Sequence, residues 1–345
     1  MKAAVLHGPE DIRCEELPLP KMGKGDVLVK TKAVGICGSD VPRVWGRAAH
    51  FYPIVLGHEI SGEVVKVGKE VKKFSPQDRV AIIPLIPCFS CSACQQGQYS
   101  SCKNYSFIGS RRDGGFAEFV SVPEKNLIKL PEKMSFEEGA LIEPASVALY
   151  ALMRGEFKGG ESIAILGLGT IGMLVLEWTK LFGAREILCF DVVEEKLKIA
   201  QKLGADLCVD SGKRHLESTV SHILEEGVDL VVETVGIPAT QLQALELVRP
   251  RGRVVYVGTP HKNVEFTPEQ FEKILRKEIS ITGSWMSYSA PFPGKAWNLS
   301  TRFLAEKRIR ADILISHRFN ICQIRKAFEV MADSSVFSEK VMILF

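Results

Sequence analysis

The sequence has few of the features that place a protein in a membrane or on a nucleic acid. Its apolar runs fall short of the roughly 18 to 20 residues that span a bilayer, and Glu143 interrupts the best candidate, residues 140–153. The net charge is only +3, so no strong field favours nucleic acid. The opening residues, MKAAVLHGP, contain an apolar run too short for a signal peptide and are predicted to form a strand. We therefore predict a cytoplasmic protein that binds neither membrane nor nucleic acid.

Internal repeats and low-complexity segments are also lacking, whereas 345 residues exceed the usual size of one hydrophobic core. Short β-type runs between glycine, proline and charged turns fill the first 140 residues, for example 26–32, 60–67 and 78–83. From about residue 145, apolar strands alternate with amphipathic helical stretches, which predicts βαβ units on a parallel sheet. The sequence thus predicts an α/β protein with a mainly-β module and a doubly wound module.

Six strands are predicted for the doubly wound module, at 162–166, 186–190, 207–209, 230–233, 253–258 and 279–283. After residue 287 we predict a helix, a short strand near Ile313, a helix from about Ile321 and a closing strand at 340–345. This tail carries no nucleotide motif, so we assign it to the first module. The predicted domains are 1–146 with 288–345, and 147–287.

A glycine motif opens the doubly wound module. The strand at 162–166 leads directly into GLGTIG, which comprises Gly167, Gly169, Thr170, Ile171 and Gly172 and then enters a helix. The three glycines of such a motif permit a tight turn, backbone approach to a pyrophosphate and close packing of helix on strand. The alternative is a set of glycines that serve packing alone.

An acidic residue follows the second predicted strand of this module. Asp191 lies some twenty residues after the glycine motif, where a carboxylate can bind both adenosine ribose hydroxyls and would repel a 2′-phosphate. Lys196, about one helical turn later, is a second candidate for the ribose. The motif and the acid together predict NAD as the cofactor.

Nine cysteines are present, and four are crowded into one segment with spacing C-x2-C-x2-C-x7-C. Clustered cysteines without a secretion signal favour a metal over disulfides. Four thiolates can close a tetrahedron around a structural zinc. An iron–sulfur cluster is the alternative, although the ferredoxin run expects its fourth cysteine after three residues and then a proline; free thiols are another. The predicted ligands are Cys88, Cys91, Cys94 and Cys102.

Three further residues could hold a second zinc. Cys37 lies in GICGSD, His58 in GHE and Glu143 in EP. Each alone is typical of a buried cysteine, a core histidine or a helix-start glutamate. Together they offer one thiolate, one imidazole and one carboxylate, a set that suits a catalytic zinc with an open fourth position. We therefore predict two zinc ions per subunit.

With these motifs in place, the sequence resembles the zinc-containing medium-chain dehydrogenases over essentially its whole length. The glutamate in EP resembles their polyol and threonine dehydrogenase branch. Three further segments, IGSRRDGGFAE at 108–118, KILRKE at 273–278 and GSWMSYSAPFPG at 283–294, are similar to the galactitol-1-phosphate 5-dehydrogenases. The resemblance implies a GroES-like catalytic domain with an inserted Rossmann domain, NAD-linked oxidation of a polyol phosphate, and a homodimer or homotetramer.

The resemblance also implies roles for residues around the second zinc. Ser39 would relay the substrate proton, Asp40 would orient the imidazole of His58, and Glu59 would act as an alternative ligand. His50 is a second relay candidate. A turn-capping role is the alternative for Ser39.

Substrate recognition is predicted for Trp285, Tyr288 and Lys295, and the backbone at 257–259 and 284–286 is predicted to meet the NAD carboxamide. Aromatic packing is the alternative for the two rings. A phosphate group favours Arg or Lys, and the candidates are Arg43, Arg47, Arg111, Arg112 and Lys295, each of which could instead be solvated surface charge.

The sequence is also compatible with two other functions. One is the dehydrogenation of an unphosphorylated polyol or of threonine, which only substrate-loop residues would separate from the phosphate-specific reaction. The other is a non-catalytic NAD-binding sensor or structural protein on the same fold. Retention of Cys37, His58, Glu143 and Ser39 speaks against the second, since a binding module needs no open zinc site.

Overall fold

A computed structural model describes residues 1–212, 227–333 and 335–345. The chain divides into two compact units, Met1–Glu143 with Tyr288–Phe345, and Pro144–Ser287. The second boundary lies between residues 287 and 288. The first lies three residues before the predicted 146/147, near the start of the helix Ile142–Arg154. We call these the catalytic unit and the nucleotide unit.

The catalytic unit is built on antiparallel β-structure. β3 pairs with β5, β9 and β18, and these strands form a seven-stranded sheet in the order β10-β6-β5-β3-β18-β17 with β9 beside β3. A three-stranded sheet runs β2-β1-β4, and β7 pairs with β8. The strands are β1 (Lys2–Gly8), β2 (Asp11–Glu16), β3 (Asp26–Gly35), β4 (Ile54–Val55), β5 (Glu59–Val67), β6 (Arg79–Ile82), β7 (Leu85–Ile86), β8 (Ser106–Phe107), β9 (Phe119–Pro123), β10 (Leu127–Lys129), β17 (Ile315–Asn320) and β18 (Lys340–Leu344).

Short helices fill the connections of the catalytic unit. Its core packs strand side chains such as Val29, Ile60 and Val80 against the helix that carries Phe328. The ring of Phe116 meets that of Phe328 edge-on at 6.0 Å. The α-helices are α1 (Val41–Val44), α2 (Ser92–Gln95), α3 (Phe136–Ala140), α9 (Lys295–Ala305), α10 (Ala311–Leu314) and α11 (Ile324–Ala332), and the 3-10 helices are Gly38–Asp40, Tyr99–Ser101, Glu124–Asn126 and Ile321–Gln323.

The nucleotide unit is a six-stranded parallel sheet in the order β13-β12-β11-β14-β15-β16. Every residue of its central strand β11 is buried, as expected for a parallel strand covered on both faces. The strands are β11 (Ser162–Leu166), β12 (Glu186–Asp191), β13 (Leu207–Asp210), β14 (Val228–Glu233), β15 (Val248–Tyr256) and β16 (Ser280–Gly283). The helices are α4 (Ile142–Arg154), α5 (Thr170–Leu181), α6 (Glu194–Leu203), α7 (Pro238–Leu247) and α8 (Pro268–Arg276).

All six predicted strands of this sheet are present, and the predicted α/β fold class is confirmed. β15 differs most in extent: it begins five residues before the predicted 253 and ends at Tyr256 rather than 258, whereas the bounds of the other strands agree within two residues. It ends early because the N–H groups of Val257 and Gly258 both donate to the carbonyl of Glu233, at 2.8 and 3.1 Å, and so turn the chain.

The strand predicted near Ile313 is wrong. Residues Ala311–Leu314 form the helix α10, and the strand β17 begins only at Ile315. Ala311 and Leu314 are both buried, and their spacing of three residues is that of a helical face.

A disulfide joins two distant parts of the catalytic unit. Cys14 on β2 is bonded to Cys322 in the 3-10 helix Ile321–Gln323, with a Cα–Cα distance of 5.0 Å. Neither cysteine has a role predicted from the sequence. No helix in the described part of the chain combines the length and the apolar character needed to cross a membrane.

Candidate active site and metal centres

Local chain reversals bring together the four cysteines of the predicted structural site, which we call the cysteine lobe. Cys88 and Cys91 follow β7, Cys94 lies on α2, and Cys102 ends a 3-10 helix. Their sulfur atoms all lie within 4.8 Å of one another. Measured separations are 3.5 Å for Cys88 to Cys102 and 3.9 Å for both Cys88 to Cys94 and Cys91 to Cys102.

These separations match the metal that the spacing predicts. Four Zn–S bonds of about 2.3 Å in a tetrahedron place the sulfur atoms about 3.8 Å apart. The backbone N–H groups of Cys91 and Cys88 also donate to the sulfurs of Cys88 and Cys102, at 3.4 and 3.3 Å, which favours thiolates. Hydrogen bonds from Ser90 lower the pKa of Cys88 to about 5, whereas burial raises that of Cys94 to about 12. The lobe therefore fits a closed structural zinc.

The catalytic unit contains a second group of potential metal ligands, Cys37, His58 and Glu59, whose donor atoms lie within 4.8 Å of one another. Cys37 follows β3 at the N-terminus of a 3-10 helix, and its sulfur accepts from the hydroxyl of Ser39 at 3.3 Å. His58 directly precedes β5, and its ring meets that of Phe107 at 5.6 Å. We call this group the Cys37 centre.

Glu143 lies near the Cys37 centre, although its carboxylate is outside the tight group that Glu59 joins. Burial, with the negative charges of Glu59 and Asp40, raises the pKa of Glu143 to about 7 even though His58 and Lys340 oppose the shift. A nearby cation would strongly favour the ionised form of such a buried carboxylate. The centre thus gathers thiolate and carboxylate donors around an imidazole, and this excess of negative charge fits a divalent metal.

Asp40 lies where a residue that orients the imidazole is needed. Its Oδ2 is 3.6 Å from His58 Nδ1, and both atoms are buried and have no hydrogen-bond partner among the described residues. Burial opposes protonation of His58, but the charges of Asp40 and Cys37 outweigh it and raise its pKa to about 10. Asp40 Oδ1 accepts from Arg43 at 2.8 Å, which fixes the carboxylate.

Lys340 balances the negative charge of Glu59 and was not predicted from the sequence. Lys340 Nζ donates to Oε1 and Oε2 of Glu59 at 2.8 and 2.7 Å and to the carbonyl of Ile36 at 3.0 Å. Both side chains are almost fully buried, at 2% and 1% exposed. Burial alone would lower the pKa of Lys340, yet Glu59 and its anionic neighbours hold it raised. A lysine that opens an otherwise apolar closing strand, β18, was the signal available in the sequence.

The position of Glu59 also requires a glycine on the neighbouring strand. A Cβ atom at Gly35, its partner on β3, would lie 1.9 Å from Glu59 Oε2. Both carboxylate oxygens are already bonded to Lys340. Glu59 is therefore held as one half of a buried ion pair beside the centre.

The glycine motif of the nucleotide unit lies between β11 and α5. Gly167 has φ +88°, in the left-handed region, and Gly169 precedes the first residue of α5, Thr170, which Ile171 follows. At Gly172 a Cβ atom would lie 1.9 Å from the carbonyl oxygen of Gly167, so the helix can start this close to the strand only with glycine there. The N-terminus of α5 presents its free N–H groups at this turn.

Asp191 ends β12 beside the same turn. Its Oδ2 accepts from the N–H of Leu168 at 2.6 Å, and its Oδ1 accepts from Val192 and Val193 at 2.8 and 2.9 Å. The carboxylate is thereby fixed against the glycine motif. Lys196 lies half-buried on the first turns of α6.

The three predicted substrate residues differ in their surroundings. Trp285 is 62% exposed in the nucleotide unit and lines a cavity of about 670 Å³ together with Tyr256, Phe266 and residues 257–259. Tyr288 is 3% exposed in the catalytic unit and stacks between Phe292 and Trp297 at 5.9 and 5.8 Å. Burial and the nearby Glu143 raise the pKa of Tyr288 far above its usual value. Lys295 is exposed at the start of α9.

Two family profiles match the chain. An alcohol dehydrogenase GroES-like domain covers residues 23–132, and a zinc-binding dehydrogenase domain covers residues 170–302. The chain belongs to the zinc-containing medium-chain dehydrogenases. The predicted family, with its GroES-like and Rossmann domains, is thereby confirmed.

Individual members of this dehydrogenase family match over the full chain. The galactitol 1-phosphate 5-dehydrogenase of Escherichia coli K12 is 39% identical over 99% of this chain and 100% of its own length. The crystal structure of galactitol-1-phosphate dehydrogenase from E. coli has a TM-score of 0.96 at 38% identity and covers 100% of both chains. A zinc-binding dehydrogenase of Sinorhizobium meliloti bound to NADP has a TM-score of 0.91 at 31% identity over 100% of this chain and 99% of its own.

These findings establish the general chemistry. This dehydrogenase is an enzyme that uses zinc and a nicotinamide dinucleotide to act on an alcohol or polyol. The predictions of an oxidoreductase, of zinc and of a nicotinamide cofactor are confirmed at this level.

Proposed function

We propose that this dehydrogenase oxidises a secondary hydroxyl of a sugar-alcohol phosphate with NAD, with galactitol 1-phosphate as substrate and tagatose 6-phosphate as product. The gathering of Cys37 and His58 beside the buried carboxyl of Glu143 carries the chemical part of the proposal. Similarity over the whole chain to an E. coli galactitol 1-phosphate 5-dehydrogenase supports the choice of substrate.

In this proposal Cys37, His58 and Glu143 hold the catalytic zinc, and the cysteine lobe holds the structural one. When bound at the Cys37 centre, zinc supplies a Lewis acid that eases loss of the hydroxyl proton and stabilises the negative oxygen. The reaction removes two electrons and one hydrogen from the carbinol carbon as hydride, which NAD accepts. The remaining hydroxyl proton passes to the solvent.

Ser39 is the first residue that we propose for the proton path. Its hydroxyl donates to Cys37 Sγ at 3.3 Å and accepts from Arg43 Nη1 at 3.0 Å, so it adjoins the centre and is itself exposed. Asp40 keeps the imidazole of His58 oriented. Because Lys340 occupies both oxygens of Glu59, we assign Glu59 to charge balance rather than to permanent ligation.

We infer a preference for NAD over NADP. The carboxylate of Asp191 is fixed at the glycine motif, where it would accept ribose hydroxyls and repel a 2′-phosphate. The Asp191→Ser variant should lower kcat/KM with NAD about tenfold and raise it with NADP. Activity of the unaltered enzyme with NADP equal to that with NAD would contradict this inference.

We also propose that two subunits associate through β16. This strand is at the end of the sheet order, and it presents Ile281 at 43% exposure. An uncovered strand edge favours pairing with another copy. Light scattering after gel filtration should give at least a dimer for the unaltered chain and a smaller species for Ile281→Lys.

The first experiment is NADH formation from galactitol 1-phosphate, galactitol, sorbitol, xylitol and threonine, with zinc counted per subunit in the same preparation. Turnover confined to the phosphate ester, with two zinc ions, is the expected result. Equal or faster turnover of a free polyol or of threonine would overturn the substrate assignment. A chain that binds NAD but turns over none of these and holds one zinc would instead support a non-catalytic role.

A further inference from the structure

The catalytic unit places two of the five basic residues considered for phosphate binding next to residues that adjoin the Cys37 centre. The other three are placed differently. Arg112 donates to the backbone carbonyl of Ser121 at 3.1 Å, so its guanidinium is engaged in a structural hydrogen bond. Arg47 and Lys295 are exposed, and no hydrogen bond or ion pair ties either to the centre among the described residues. Arg43 and Arg111 remain.

Arg43 approaches the centre from α1. Its Nη1 donates to Ser39 Oγ at 3.0 Å and to Asp40 Oδ1 at 2.8 Å, and only 18% of its side chain is exposed. Ser39 in turn bonds to Cys37, so one side chain separates the guanidinium from a proposed zinc ligand. Both bonds use the same nitrogen, which leaves the N–H groups on Nη2 and Nε for another acceptor.

Arg111 lies on the turn after β8. Its N–H donates to the carbonyl of Phe107 at 2.9 Å, and the ring of Phe107 rests against His58. The guanidinium lies over the ring of Tyr105 at 4.6 Å. Arg111 has no ion pair within the part of the chain that the structure describes, so its charge is available to a ligand.

His50 lies within electrostatic range of both Arg43 and Arg111. Partial burial together with the positive charges of Arg111 and Arg43 lowers its pKa. Both guanidinium groups therefore act on one imidazole, whereas Asp40 is the single carboxylate bonded to either of them among the described residues. We call Arg43, His50 and Arg111 the basic cluster. It places a surplus of positive charge next to a centre whose own donors are negative.

We propose that the basic cluster binds the phosphate of the substrate while the reacting hydroxyl lies at the Cys37 centre. Guanidinium groups bind phosphate oxygens through paired charge-assisted hydrogen bonds, and an imidazole N–H adds a third donor. Because the phosphate site and the zinc site are separate, they would fix both ends of an extended polyol chain and so select which hydroxyl reacts. This proposal rests on the proposed function, which supplies the phosphorylated substrate.

The principal test uses Arg111→Gln, because Arg111 makes no bond to any residue of the Cys37 centre. Arg47→Gln is the matched control, since Arg47 is an exposed arginine outside the basic cluster. For the zinc-loaded enzyme, kcat/KM should be measured with galactitol 1-phosphate and with galactitol. Arg111→Gln should lower the value for the phosphate ester by about 100-fold, mainly through KM, and leave that for galactitol within about twofold.

Two further variants protect this test against a purely structural effect. Arg111→Lys keeps the charge but loses the paired geometry, and should recover part of the loss. Arg43→Lys should also raise KM for the phosphate ester while keeping a positive charge beside Asp40. An Arg111→Gln enzyme that retains the full preference for the phosphate ester would overturn the proposal and leave the proposed function standing.

A binding measurement separates failure of this proposal from failure of the proposed function. Inorganic phosphate titrated into the zinc-loaded enzyme should bind to the unaltered chain and to Arg47→Gln, and should bind at least tenfold more weakly to Arg111→Gln. If the unaltered enzyme prefers a free polyol, the proposed function fails, and this titration alone decides the basic cluster. Equal phosphate affinity in all three proteins would overturn it.

Discussion

The cysteine lobe and the Cys37 centre both gather potential metal ligands within one unit, yet they are built in different ways. The lobe takes four ligands of one kind from fifteen consecutive residues, 88–102, with sulfur separations near those of a zinc tetrahedron. The Cys37 centre takes potential ligands of different kinds from distant segments. Charged residues surround these ligands: Asp40 lies beside His58, and Lys340 is paired with Glu59. Four cysteines would complete the coordination of a zinc ion in the lobe, whereas the three ligands proposed at the centre would leave one coordination position for a substrate.

If this contrast is correct, loss of a ligand at the Cys37 centre should abolish activity with little effect on folding. His58→Ala should lower kcat/KM at least about 1000-fold, equivalent to about 4 kcal/mol of transition-state stabilisation. Steady-state kinetics, zinc analysis and thermal unfolding of the same sample test this. The zinc content should fall from two to one. Activity within tenfold of the unaltered enzyme would remove the centre from the mechanism.

The second largest effect is expected from the buried charge pair beside the centre. Lys340→Met leaves Glu59 buried without its partner, which should lower the free energy of unfolding by about 3 kcal/mol. The double variant Lys340→Met/Glu59→Gln should regain most of this loss, because no unpaired charge remains. Denaturant unfolding of both variants measures it. Equal stability of the single and double variants would show that the charge of Glu59 is not the cause.

A substitution in the lobe should produce the opposite pattern to His58→Ala. Cys94→Ser should lower the unfolding free energy by about 2 kcal/mol and the Tm by about 5 °C, with loss of one zinc. Well below the new Tm, kcat/KM should stay within about threefold. Cys208→Ser, a cysteine outside both metal groups, is the control. A 1000-fold loss of activity in the folded Cys94→Ser enzyme would erase the distinction between the two sites.

The smallest expected effect is a pH dependence of metal binding at the centre. Because the pKa of His58 is raised to about 10 in the metal-free protein, zinc must displace a proton at neutral pH. Affinity should therefore rise with pH between 6 and 9, by about tenfold per unit, and level off above about 10. Competition with a chelator measures it. In Asp40→Asn the rise should end at a lower pH, and no change of affinity with pH in the unaltered protein would contradict the expectation.

The sequence predicted best what is encoded within a short stretch. The glycine motif, the cysteine lobe and the six strands of the nucleotide unit each depend on residues close together in the chain. Lys340 and Glu59 are 281 residues apart, and nothing near either of them announces the other. The same holds for Arg111 and Arg43, which the sequence offered only as two of five basic residues. Charge pairing across a fold has no local sequence pattern, so it becomes visible only in the folded structure.

The disulfide between Cys14 and Cys322 has a topological consequence for a catalytic unit made from two separate stretches of chain. It closes a covalent ring that contains the whole nucleotide unit, because 308 residues separate the two cysteines. A single cut anywhere within the inserted unit would open this ring without separating the two stretches that form the catalytic unit. While the disulfide is intact, the two stretches of the catalytic unit are therefore joined covalently twice. One connection is the peptide chain through the insertion, and the other is the sulfur bridge.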